Sequence, residues 1–193
     1  MTTTDTDHKV LVIGRSQANL NATVDLLQER GYAAQATNNF EAITDQADPR
    51  TLELVVFGGQ VAPAKKDEMR EEISAANHAV KFIQGLSGIP GLIVDQVAGA
   101  LTGEQVIPGQ APIYEAARKT IALSLYASLD VMVTIYWITE MIPPDPKSDS
   151  LVLHDGPLPA GDHAFELPHT VSLDAAAFAT VRAGTAIWSF RLT

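Results

Sequence analysis

The chain has 193 residues, 46% hydrophobic and 19% charged, which is enough apolar material for one ordinary domain or two small ones and excludes global disorder. It contains no cysteine, which excludes disulfides, thiolate metal sites and a cysteine nucleophile and points to a reducing, cytoplasmic setting. A formal net charge of −10 opposes a polyphosphate backbone, so no nucleic acid is expected as a partner, and no uncharged apolar run reaches the roughly 18 to 20 residues of a membrane span.

The opening MTTTDTDHK lacks the cationic start and apolar core of a secretory signal and reads as a disordered lead-in. Residues 9–13, KVLVI, are a β-branched apolar run closed by Gly14, as expected of a parallel strand buried on both faces. Ser16 or Asn19 can cap a helix running to about Arg30, with Leu20, Val24 and Leu27 on one stripe and Gly31 as a left-handed stop. A second strand at 32–37, a short helix at about 40–46 and a third strand at 52–57 continue the alternation. A charged helix at about 65–78, a strand at 79–83 and a helix from Pro90 to about Leu101 complete it.

This rhythm predicts a three-layer α/β domain over residues 8–104, a parallel sheet of flavodoxin-like or Rossmann-like type with helices on both faces. Ligands of such sheets bind beyond the carboxyl ends of the strands, which here are residues 14–17, 38–39, 58–60 and 84–87. Two glycines and two prolines in residues 102–112, TGEQVIPGQAP, mark a linker, taken as 105–117.

Beyond residue 118 helical patterning disappears. Short strands are expected at 120–126, 131–138, 151–153, 163–167, 177–182 and 185–192, with GPLPAGDH and Ala183-Gly184 as hairpin connections. Val131, Val133, Ile135 and Trp137 alternate with Met132, Thr134 and Tyr136, the period of a half-buried strand. The expectation is a small antiparallel β-sandwich at 118–193, of immunoglobulin-like character, one of whose edge strands pairs with its twin in a homodimer.

The segment KVLVIGRSQANLNATVDLLQERGYAAQAT, with the FEAI helix and DPRTLELVVFGGQVAP, resembles the receiver domains of bacterial response regulators over about 55 residues. The resemblance implies an acidic pair after the first strand that holds Mg²⁺ and an aspartate ending the third strand that accepts phosphate. The matching positions are Gly14, Arg15 or Ser16 for the pair and Gly58 for the phosphoacceptor, so neither carboxylate function is present. What it then implies is a pseudo-receiver, a regulatory or scaffolding protein that works through protein partners and is not an enzyme.

VIGRSQANL and VVFGGQVAP also look like strand ends of NAD(P)-dependent short-chain reductases. Of the glycines of a dinucleotide fingerprint only Gly14 is kept, with Ala18 and Leu20 where others would stand, and no tyrosine is followed by lysine four residues on. The alternative function is therefore a nucleotide or NAD(P) binder, or a diverged reductase. Its ligand would meet Gly14, Arg15, Ser16 and Gln17 after the first strand and Gly58, Gly59 and Gln60 after the third.

Other polar groups carry two readings. His154 and His163 flank the PLPAG turn, with Asp155, Asp162 and Glu166 nearby. They make either a zinc or nickel site or, as preferred, solvent-facing polar pairs without a metal. His78 reads as a helix-end cap, and the charges of residues 65–72 as a solvated face. Ser16 and Ser87 lack a histidine in any nucleophile motif. Gly58 and Gly59 either admit a ligand or make a tight turn, and Asn38 and Asn39 are turn formers.

Overall fold

The computed structural model describes residues 8–41, 43–86, 88–102, 108–142 and 145–192. The expected lead-in at 1–7 and Ser87 lie outside them. The chain divides into two compact units, residues 1–100 and 101–193.

In the first unit four parallel strands, β1 (Lys9–Ile13), β2 (Ala33–Thr37), β3 (Leu54–Phe57) and β4 (Lys81–Gln84), lie in the order β2-β1-β3-β4. Between and after them run α1 (Gln17–Glu29), α2 (Ile43–Gln46), α3 (Pro63–Ala76) and α4 (Pro90–Leu101). The continuous apolar runs are explained by burial: every residue of β3 and the last four of β1 are buried. Leu11, Ile13, Val55 and Phe57 pack with Ile43 of α2 and with Met69 and Ile73 of α3. Val10, Val12, Leu54 and Val56 alternate to the opposite face and are equally buried. Arg30, the C-cap of α1, reaches the buried Asp95 of α4 at 2.8 Å. Proline opens both α3 and α4, where its missing N–H leaves no carbonyl unpaired.

The third strand is two residues shorter than expected at its start. Asp48 accepts the Arg50 N–H at 3.1 Å and its carbonyl accepts the Thr51 N–H at 3.0 Å, which winds Pro49–Thr51 into a 3₁₀ turn.

The second unit is built from β5 (Ile113–Glu115), β6 (Thr120–Leu125), β7 (Leu129–Glu140), β8 (Lys147–Leu158), β9 (Gly161–Glu166), β10 (Ala177–Ala183) and β11 (Ala186–Arg191). They form two antiparallel sheets, β11-β10-β7-β8 and β5-β6-β9. Side chains of both make one apolar cluster, with Ile121 and Leu123 from β6, Val133 and Ile135 from β7, and Ala179 and Val181 from β10.

Three expectations are corrected here. GPLPAGDH is not a hairpin: β8 pairs with β7 and β9 with β6, so the chain leaves one sheet for the other between them. Gly156 within β8 and Gly161 at the start of β9, at φ of +149° and +125°, hold backbone where a side chain would be strained. Of the stretch read as a linker, residues 103–107 lie outside the described residues and residues 108–115 carry sheet pairing. Pro108 O accepts the Tyr126 N–H at 2.8 Å, the Gln110 N–H donates to Ser124 O at 3.0 Å, and residues 113–115 are β5. β7 is not half-buried, because Thr134, Tyr136 and Ile138 are buried along with Val133, Ile135 and Trp137.

Candidate functional site

The sequence-predicted residues after β1 and β3 come together because those strands are neighbours in register, Ile13 beside Phe57. The Gly58 N–H donates to Ile13 O at 2.7 Å and the Gly14 N–H to Thr37 O at 3.1 Å, so both glycines extend the ladder by one residue. The backbones are close there. A Cβ on Gly58 would lie 3.1 Å from Ile13 O and 3.3 Å from the Gly14 Cα, whereas Gly59 has open space around it. The Val61 N–H then donates to Gly58 O at 3.3 Å, closing a turn over Gly59 and Gln60, which are exposed. This favours the turn reading of the Gly58-Gly59 pair.

After β1, the residues serve the helix. Ser16 is the N-cap of α1: its Oγ accepts the Asn19 N–H at 3.1 Å and its carbonyl the Leu20 N–H at 3.0 Å. That uses an amide that an anion would otherwise take. The Leu20 side chain lies against Gly14, filling the place of a fingerprint glycine. Gln17 pairs along the helix with Asn21 at 2.8 Å. The exposed Arg15 turns its guanidinium over the Phe40 ring, 5.9 Å from the ring centre.

The third and fourth strand ends hold a polar network that the sequence did not announce. The Gln84 amide donates to Phe57 O at 2.7 Å and to Gly85 O at 3.1 Å, while its Oε1 accepts from Lys66 Nζ at 2.7 Å. Gln96 of α4 accepts the Leu86 N–H at 3.0 Å and donates to Gln84 O at 3.2 Å. The available signal was that Asp95 and Gln96 are the two polar side chains inside an otherwise apolar helix. The Asn39 Oδ1 accepts the Glu41 N–H at 3.1 Å and the Asn39 N–H donates to Thr37 Oγ1 at 2.9 Å, a turn arrangement.

Around this end of the sheet Lys65 bridges Glu68 at 3.0 Å and Glu41 at 3.2 Å. Its ammonium is held above the usual lysine value, first by the Glu68 hydrogen bond and then by Glu41. Arg70 lies over the buried Phe57 ring at 5.1 Å. Two open clefts lie elsewhere, one beside the starts of β1 and β2 and one between α2, the 3₁₀ turn and the end of α3. One of about 500 Å³ is lined in part by Lys9, Gln28, Gln35 and Asp48, and one of about 450 Å³ in part by Thr44, Pro49 and Arg50. Neither includes any of the residues 14–17 or 58–60.

In the second unit the two histidines stand on strands of different sheets. His154 sits beside Val133 and contacts Gly156 O at 3.2 Å, and His163 sits beside Leu123 and contacts Pro159 O at 2.8 Å. They are not cross-strand partners, because their strands belong to different sheets. Among the described residues no group of three or more His, Asp or Glu side chains is placed to hold a metal ion. No helix among those residues is long and apolar enough to cross a membrane.

The chain matches no protein-family model, and no curated protein matches its sequence.

Proposed function

We propose that this is a regulatory or scaffolding protein without catalytic activity, whose first unit is a pseudo-receiver acting through protein contacts and whose second supports assembly. The order β2-β1-β3-β4 fits the first four strands of a flavodoxin-like sheet, the fold of true receivers. The observation that carries the reading is the close approach of Gly58 to Gly14 at the adjoining ends of β1 and β3. In a working receiver two carboxylates and a nucleophilic aspartate converge on that spot. Here the matching positions, Gly14, Arg15, Ser16 and Gly58, offer no carboxylate to hold a hard divalent cation and none to attack a phosphoryl group. Arg15 adds a positive charge to the rim and Ser16 is engaged in capping. A surface so arranged recognises by shape and charge, and a change in it passes to a partner through contacts.

Thermal unfolding of the full chain with a panel of nucleotides and dinucleotides tests this against the nucleotide or NAD(P) alternative. A ligand at 100 times its Kd adds about 2.7 kcal/mol of stability. The expected result is no shift. A shift that Arg15→Ala abolishes would overturn the reading in favour of a ligand-binding Rossmann-type domain.

A further inference from the structure

We infer that β11 is the assembly edge of this protein and that it pairs antiparallel with β11 of a second copy about a two-fold axis through Ser189. This inference rests on the scaffolding reading and names the surface it uses. β11 ends its sheet, and among the described residues no strand lies along its outer side.

Which backbone groups face outward follows from the hairpin. Only Gly184 and Thr185 separate the paired residues Ala183 and Ala186, and Gly184 sits at φ +57°. In a two-residue hairpin the flanking pair exchanges both hydrogen bonds, and the pattern alternates from there. Ala186, Trp188 and Phe190 therefore bond inward to β10, and the Leu192 N–H continues the series to Ala177 O at 2.9 Å. The N–H and C=O groups of Ile187, Ser189 and Arg191 point outward.

The other three edges of the two antiparallel sheets are blunted. β8 has two register shifts, Pro157 without a donor, and the charges of Lys147, Asp149 and Asp155. β5 is three residues long, and β9 carries Asp162 and Glu166. β11, AIWSFR, has six residues, no proline, no register shift and a single charge.

A second copy suits this edge better than another partner because the strand is complementary to itself. Outward-bonding residues must pair with outward-bonding residues, so a two-fold axis at Ser189 sets Ile187 against Arg191 of the second copy. It also sets Trp188 against Phe190 of that copy in the closer, non-hydrogen-bonded position. The chain carries −10 overall, yet residues 175–192 contain no acidic side chain, so no carboxylates face each other across the seam. The two Arg191 residues are four positions apart along the seam, ~14 Å, beyond the screening length of about 8 Å.

Sedimentation of the full chain over a dilution series tests the pairing, with Ser189→Lys, Ser189→Glu and, as a control on the opposite edge, Ser150→Lys. The expected result is a wild-type dimer that dissociates on dilution. Ser189→Lys should weaken it at least tenfold with an unchanged far-UV spectrum, Ser150→Lys should leave it intact, and an equimolar mixture of Ser189→Lys and Ser189→Glu should restore a mixed dimer. A monomeric wild type, a dimer indifferent to Ser189→Lys, or a mixture that does not pair would overturn the inference. A monomer that also shows no nucleotide shift sinks the edge pairing and leaves the pseudo-receiver reading standing. A dimer with an Arg15-dependent shift does the reverse.

Discussion

The two units are held by different kinds of constraint. In the first, side chains stitch helices and strand ends together: Ser16 to the start of α1, Arg30 to Asp95, Gln84 to the carbonyls of Phe57 and Gly85, Gln96 to Leu86. In the second, backbone fit dominates, with two antiparallel ladders over one apolar cluster and glycines where strands meet or turn. The difference teaches where each unit is vulnerable. A side-chain link is lost alone at modest cost, whereas a crowded backbone must move a whole strand.

Both units report separately, since among the described residues the α-helices belong to the first and both tryptophans, Trp137 and Trp188, to the second. The largest expected effect is Gly109→Ala, whose new Cβ would run into the Ser124 carbonyl oxygen. It should destabilise the second unit by about 3 kcal/mol, read by tryptophan fluorescence in urea, while Gly59→Ala, with open space around it, stays within about 0.5 kcal/mol. Equal effects would erase the contrast. Arg30→Ala removes a charged hydrogen bond from the buried Asp95 and should cost the first unit about 1.5 kcal/mol, seen in the helical circular dichroism transition and not in the tryptophan signal. Ser16→Ala, by loss of the cap, should cost about 1 kcal/mol by the same probe.

The smallest effect concerns Asp48, whose carboxyl is held below its usual value by the Arg50 side chain and then by the Arg50 N–H. A lowered acid favours the folded state while ionised. Its contribution is therefore present at neutral pH and lost as the pH falls through the lowered value. Carbon-detected NMR titration of wild type and Arg50→Ala should show the midpoint of Asp48 rise in the variant, and an unmoved midpoint would count against the pairing.

The first unit was legible because its signals are local. An apolar run closed by Gly14, a cap at Ser16, the stop at Gly31 and the prolines opening α3 and α4 each act within a few residues. The strands of the second unit were also found by local pattern, but their partners were not. Whether residue 158 leads back along the same sheet or into another depends on β6 and β7, more than thirty residues away for β6, and no turn residue encodes that. The candidate site divides in the same way. That Gly14 and Gly58 follow strands was legible, but that those strands are neighbours was not, and the Lys66, Gln84 and Gln96 network joins three elements and leaves no mark at a fixed spacing.

The most direct test of the pseudo-receiver reading is intact-protein and peptide mass spectrometry after treatment of the full chain with acetyl phosphate and Mg²⁺. The reading matches Gly58 to a receiver's phosphoacceptor and Gly14, Arg15 and Ser16 to its acidic pair, so the result it predicts is no aspartyl phosphate in residues 8–104. A base-labile, hydroxylamine-sensitive phosphate on an aspartate of that unit would contradict it and favour a working phosphoacceptor.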